Sequence, residues 1–255
     1  MGDTDKHQQA GAVQLTDHPI INEHRCLGDP AHYRSHDASA YPVILPSSSP
    51  SSSLSMHPVL LRRPPVSLML SQDVSADALL ERDPLALLLA MLLDQQVPME
   101  RAFAAPYELQ QRLGHDLDAH ELAGYDPDAL ADLFAKQPAL HRYPKAMAGR
   151  VQLICQVLVE RYHGDVTGLW RDVSDAHELL DRLVALPGYA LQKAQIFVAL
   201  LGKQRGVRPQ GWREVAGSYG DEGVYRSVAD VTDAESLAKV REYKQQSKAA
   251  AKAKK

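Results

Sequence analysis

The chain has 255 residues, an apolar content of 45% and a formal net charge of -4 at pH 7. This length and composition allow one large or two small domains with a hydrophobic core. The net charge excludes a strongly basic protein, so any surface for a polyanion must be a local one. The sequence has no apolar run of roughly 18 residues and no secretory signal at its start, which predicts a cytoplasmic protein without a membrane segment.

The amino-terminal segment differs in composition from the rest. From Met1 to about residue 66 it is rich in Asp, His, Pro and Ser, and Pro46 to Ser55 is nearly all Ser and Pro. Such a segment buries too little apolar surface to offset the entropy lost on ordering. We therefore predict a disordered leader over residues 1–66, a globular domain over 67–242 and a basic tail over 243–255.

The tail is rich in lysine and alanine. Its lysines are Lys244, Lys248, Lys252, Lys254 and Lys255. A basic tail gains affinity for nucleic acid by displacing counterions from phosphates. The alternative is a tail that only increases solubility.

Cysteine is scarce. Cys26 and Cys155 lie in segments of different character, so no disulfide framework is expected. His24, Cys26, His32 and His36 have a loosely zinc-like spacing. Their flanks lack the hydrophobic pattern of a zinc finger, and we predict no metal site.

Apolar residues of the globular part recur at spacings of three and four, which predicts an all-α fold. The clearest helix start is Asp83-Pro84, where Asp caps the helix and Pro occupies the first turn. The helix predicted from Leu85 to Gln96 is apolar nearly all round and should be buried. Further helices are predicted after Ser75, over 106–113, 118–123, 127–135 and 144–162, from Ser174 to Val184, and over 191–201 with Gly202 at the end.

A short connection, Leu186-Pro187-Gly188-Tyr189-Ala190, joins the last two of these helices. Gly188 permits a positive φ. At the start of the next helix, the free N–H groups converge at the positive end of the helix dipole. Together they form a site for one anionic oxygen, such as that of a DNA phosphate, and Lys193 adds a cation. The alternative is an ordinary hairpin of two helices without a ligand.

Three segments carry a resemblance to a known superfamily. They are Leu92 to Val97, then Tyr143 to Ala146 with Val151 to Val166, and finally Leu186 to Ala194. In this order they resemble the helix-hairpin-helix (HhH-GPD) superfamily of base-excision DNA repair proteins, which includes endonuclease III, and most of all an actinobacterial group within it. The resemblance covers nearly all of the globular part and implies an all-α, helix-hairpin-helix DNA glycosylase-like domain.

The resemblance also implies a partner, duplex DNA with a damaged or mispaired base, and a nucleoid-associated location. In the family, the early Gln-containing segment faces DNA and probes the gap left by a flipped base. The expected DNA-binding residues are Gln95, Gln96, Leu186, Gly188, Ala190 and Lys193. For Gln95 and Gln96 the alternative is that the amides cap a buried helix or bond to nearby carbonyls.

Excision of a base requires a pocket for the flipped nucleotide and either a carboxylate that activates water or an amine nucleophile. Relatives that also nick the strand use a lysine of the second hairpin helix. Counted from the Leu-Pro-Gly turn, its position holds Gln192. Lys193 follows, but one residue rotates a helical side chain by about 100°, so it should point elsewhere. We therefore expect no Schiff-base lyase step.

The position of the family's essential aspartate falls at or near Gln210, where no aspartate stands. Glu214 is the nearest acid and the candidate catalytic residue, although it could instead pair with Arg213 or face solvent. Asp94, which closes the central helix, is a weaker candidate because it can equally be a capping or structural acid.

Tyr143 and Trp212 are candidates for stacking on an extruded base, and packing in the core is their alternative. No cysteine follows Cys155, so we expect neither the iron–sulfur cluster of many relatives nor another cofactor. The resemblance implies a monomeric DNA glycosylase that hydrolyses the N-glycosidic bond of a damaged or mispaired base. The alternatives are a non-catalytic DNA-binding protein of the same fold and a helical interaction protein.

Overall fold

The computed structural model describes residues 68–253, and over this range the chain is all-helical, with no β-strand. None of the described helices has the length and apolarity needed to cross a membrane. The leader predicted over 1–66, with its histidines and Cys26, lies outside the described residues.

Ten α-helices and three short 3-10 helices make up the described part. The α-helices are α1 (Val74–Arg82), α2 (Pro84–Leu93), α3 (Met99–Leu113), α4 (Ala119–Gly124), α5 (Pro127–Ala135), α6 (Pro144–Tyr162), α7 (Ala176–Val184), α8 (Leu191–Gln204), α9 (Trp212–Ala216) and α10 (Ala234–Ala253). The 3-10 helices are Val166–Leu169, Gly217–Tyr219 and Val228–Asp230.

Helix α2 lies at the centre of the core, as its composition predicts. The Asp83 carboxylate caps it by accepting hydrogen bonds from the N–H groups of Leu85 at 2.8 Å and Ala86 at 3.3 Å. Every residue from Leu85 to Leu93 is buried. The helix ends at Leu93 rather than at Gln96, because the following residues turn away to form the polar loop described below.

The predicted start of α3 at Pro106 is wrong, because the helix begins at Met99 and Pro106 lies inside it. A proline within a helix loses one hydrogen bond and is usually disfavoured. Here the buried face runs without interruption from Met99 through Phe103 and Pro106 to Leu109. Packing of this face against the core therefore outweighs the local preference of proline for a first turn.

Gly202 does not end α8, as the sequence pattern predicts, but lies within it. Its role is close packing, since a Cβ atom at this position would lie 2.5 Å from Cζ3 of Trp212. The helix ends before Gly206, which has a φ of 71°. The Val207 N–H then returns to the Leu201 carbonyl at 3.1 Å, so the glycine that closes the helix is the later one.

The connection between α7 and α8 is fixed to α2 by Tyr189. This residue is 2% exposed, and its hydroxyl donates a hydrogen bond to the Leu88 carbonyl at 2.6 Å. Gly188 has a φ of 84°, and a Cβ atom there would lie 2.8 Å from Cδ1 of Leu92. Both its backbone conformation and its contact with α2 therefore require glycine.

Helix α10 runs from Ala234 to Ala253. It thus continues without a break across the boundary predicted between residues 242 and 243, into the segment predicted as a separate basic tail. The lysines Lys244, Lys248 and Lys252 are carried on this helix.

The two helical glycines Gly202 and Gly149 give a matched test of the packing. Gly202→Ala should lower the free energy of unfolding by about 1–2 kcal/mol, because the new methyl group overlaps Trp212. Gly149→Ala should raise it by up to about 1 kcal/mol, because open space surrounds that position in α6. Urea denaturation measures both, and stabilisation by both substitutions would contradict the close contact.

Candidate nucleic-acid interface

A cleft of about 710 Å³ opens where the end of α2, the start of α8 and the helix α10 meet. Three of the predicted DNA-binding residues, Gln95, Gln96 and Lys193, line it together with Gln192. The hairpin residues do not line the cleft. Gly188 and Ala190 are exposed, whereas the side chain of Leu186 is buried in the core.

Lys193 ties the start of α8 to the end of α2. Its ammonium group donates hydrogen bonds to the backbone carbonyls of Met91, of Leu92 at 3.0 Å and of Asp94 at 3.3 Å. These are carbonyls at the end of a helix, which have few partners of their own. Burial lowers the pKa of Lys193 to about 8, and the charge of Asp94 opposes this shift.

Gln192 and Lys193 bond to different parts of the chain, Gln192 to Tyr219 and Lys193 to the end of α2. Both residues nevertheless border the cleft, although their side chains leave the first turn of α8 about 100° apart. Gln192 donates a hydrogen bond from Nε2 to the hydroxyl oxygen of Tyr219 at 2.7 Å. Tyr219, which the sequence did not indicate, thus forms part of the wall.

Gln95 fixes the turn that follows α2. Its Nε2 donates to the Leu92 carbonyl at 2.7 Å, and its Oε1 accepts a hydrogen bond from Arg150 Nη1 at 2.8 Å. The capping role weighed as an alternative for the two amides therefore applies to Gln95. Arg150, a cation on α6, in addition orients the Oε1 atom of Gln95.

Gln96 is exposed and has a φ of 58°. A left-handed backbone costs a residue with a Cβ atom about 1–2 kcal/mol. Strain of this kind persists where the surrounding structure imposes it, and it concentrates at functional sites. The bonds that hold Leu92, Asp94 and Gln95 leave Gln96 at the tip of the turn, with its side chain at the cleft.

His141 bonds to the same turn and is only 2% exposed. Burial lowers its pKa, so the ring is neutral at pH 7. The backbone geometry assigns the tautomer, because Nδ1 accepts from the Tyr143 N–H at 3.0 Å and Nε2 then donates to the Gln95 carbonyl at 2.8 Å.

The cleft is locally cationic although the chain is acidic. Two carboxylates line it, those of Asp94 and Glu100. Five cations line it, namely Lys193, Arg226, Arg241, Lys244 and Lys248. An excess of cations over carboxylates in a concave site favours an anionic ligand such as a phosphodiester.

The other predicted site residues lie elsewhere. Glu214 is exposed on α9, and neither it nor Gln210 lines the cleft. Trp212 is 6% exposed, packs against Gly202 and lines a separate cavity of about 420 Å³. Tyr143 is 43% exposed beside the turn but does not line the cleft. The roles predicted for these residues in catalysis and base binding therefore stay predictions.

Among residues 68–253, no three His, Cys, Asp or Glu side chains come together in a way that could hold a metal ion. Burial raises the pKa of the Cys155 thiol to about 12, which makes it an inert core group. No family model, curated protein or solved structure matches this chain.

Lys193→Met tests the tie between α8 and α2. The free energy of unfolding should fall by about 1–3 kcal/mol, because carbonyls at the end of α2 lose their donor. Lys145→Met is the matched control and should change it by less than about 0.5 kcal/mol, since Lys145 forms only an exposed ion pair with Asp128. Equal stability of the two variants in urea denaturation would contradict the structural role of Lys193.

Proposed function

We propose that this chain is a base-excision DNA repair protein of the HhH-GPD superfamily, related to endonuclease III. In this proposal it is a DNA glycosylase that hydrolyses the N-glycosidic bond of a damaged or mispaired base. One observation carries the proposal: Gln95, Gln96, Gln192 and Lys193 converge on a single cationic cleft beside the hairpin. These residues come from two segments about 100 positions apart, as the hydrogen bond from Lys193 to Leu92 spans 101 residues.

The hairpin supports binding of the DNA backbone. Helix α8 begins at Leu191 after Ala190, and no side chain caps it, so its first N–H groups are available to an anionic oxygen. Gly188 is exposed and presents no side chain that would obstruct a phosphate. The side chain of Arg150 lies nearby, since a Cβ atom on Gly188 would be 3.9 Å from its Cδ.

The cleft supports binding of an extrahelical nucleotide. Its volume of about 710 Å³ lies within the range of about 300–1,000 Å³ that is common for small-ligand sites. The amides of Gln96 and Gln192 can donate to and accept from the edge of a base. Gln96, exposed at the tip of its turn, is suited to enter the space that a flipped base leaves in the duplex.

A lyase step through a lysine is not part of the proposal. Gln192 carries an amide, which is not a nucleophile of the required kind. The amine of Lys193 is held by three backbone carbonyls at the end of α2. An attack on a sugar aldehyde would require these hydrogen bonds to break.

The rival function is a DNA-binding protein of the same fold that has lost catalysis. The observation in its favour is that neither Gln210 nor Glu214 lines the cleft. A glycosylase with this cleft therefore takes its catalytic carboxylate from another part of the chain.

Both functions are tested with the full chain and duplexes carrying uracil, alkylated, oxidised or mispaired bases. We expect abasic sites, detected by alkali cleavage, from at least one duplex. Affinity for a duplex with a stable abasic-site analogue should fall steeply as salt rises. Salt-dependent binding without turnover would favour the rival, and binding that is absent or insensitive to salt would contradict both.

A matched pair of glutamines separates function from stability in this experiment. Gln96 and Gln72 both have a left-handed backbone, with φ of 58° and 64°, so Gln96→Gly and Gln72→Gly should both preserve or raise stability. Only Gln96→Gly should weaken binding of the abasic duplex, by roughly tenfold, equivalent to about 1.4 kcal/mol. Equal affinities of the two variants would show that Gln96 does not contact DNA.

A further inference from the structure

The two carboxylates of the cleft differ in how they are held. Glu100 forms a close ion pair with Arg241, from α10. The nearest cation to Asp94 is Lys244, whose Nζ lies 3.7 Å from Oδ2, which is beyond hydrogen-bond distance. Within the part of the chain that the structure describes, the Asp94 carboxylate accepts no hydrogen bond. It is therefore the carboxylate of this cleft that is available to a ligand.

The position of Asp94 is fixed although its carboxylate forms only a loose ion pair with Lys244. Its side chain is 16% exposed, and its backbone carbonyl accepts a hydrogen bond from Lys193 at 3.3 Å. Gln95 and Gln96 follow it directly and line the same cleft. A nucleotide that contacts these amides would bring its sugar close to Asp94.

We infer that Asp94 is the carboxylate that activates water for hydrolysis of the glycosidic bond, an inference that rests on the proposed function. The water oxygen bonds to C1′ of the extrahelical nucleotide. The bond from C1′ to the base nitrogen breaks, and its electron pair passes to that nitrogen. One water proton goes to the Asp94 carboxylate, which later releases it to solvent, and the departing base takes up a proton from solvent. The products are the free base and an abasic sugar.

The charge that develops during this reaction also requires a carboxylate. Glycosidic cleavage passes through a transition state in which the sugar is cationic and resembles an oxocarbenium ion. Glu100, the other carboxylate among the described residues that line the cleft, is already paired with Arg241. Glu214 lies on α9 and does not line the cleft. Asp94 is thus the acid whose location fits both stabilisation of the sugar and activation of water.

The test is the single-turnover excision rate of the full chain on the duplex that it cleaves best. Asp94→Asn should lower this rate at least about 100-fold, the lower limit for loss of a general base. Affinity for the abasic-analogue duplex should stay the same or increase. Asp128→Asn is the matched control, because Asp128 also faces a lysine, Lys145, at 3.1 Å but on an exposed surface. It should cleave at the unmodified rate.

Formate provides a second readout that a purely structural role would not change. Added formate should restore part of the rate to Asp94→Ala, because it supplies a carboxylate in the space that the side chain leaves. An Asp94→Asn rate less than about 100-fold below the unmodified rate, or an Asp94→Ala rate that formate does not raise, would overturn the inference and leave the proposed glycosylase intact. DNA binding without any turnover by the unmodified chain would overturn both.

Discussion

The hydrogen bonds from Lys193 to the last carbonyls of α2 are the interaction on which the candidate site depends. They lie at the end of α2, in which every residue from Leu85 to Leu93 is buried, and they join it to the first turn of α8. The loop of Gln95 and Gln96 then begins from a fixed point rather than from a frayed helix end. Tyr189 makes a parallel connection to Leu88. The hairpin and the turn that contains Gln95 and Gln96 are therefore both attached to α2.

In the proposed function, this shared attachment to α2 would link two kinds of DNA contact. The end of α2 would then position both the phosphate-binding start of α8 and Gln96, which probes the gap in the base stack. Arg150 strengthens the link, since it bonds to Gln95 and also lies beside Gly188. We propose that backbone binding at the hairpin positions Gln96 at the base stack, while the adjacent cleft with Asp94 receives the base that leaves it.

Local rules predicted most helices, because caps and apolar spacing are properties of short segments. The bounds predicted for 127–135 and 144–162 are confirmed by α5 and α6. The start of α3 and the role of Gly202 were wrong because tertiary packing, against the core and against Trp212, overrides proline and glycine preferences. For the site, the sequence predicted Gln95, Gln96 and Lys193. It could not indicate Arg150, which bonds to Gln95 across a distance of 55 residues, nor that Lys244 of the predicted tail lies at this cleft.

The most direct test of this account is an NMR titration of the isotopically labelled chain with a short duplex that contains a stable abasic-site analogue. The account predicts that the largest amide shifts occur at Gly188, Gln96 and Lys193, with Glu214 and Gly124 unchanged. The same duplex without the analogue should shift the hairpin amide of Gly188 but affect Gln96 less. Shifts centred on Glu214 and the cavity around Trp212, or no shifts at all, would contradict the assignment of the cleft and hairpin as one DNA-binding site.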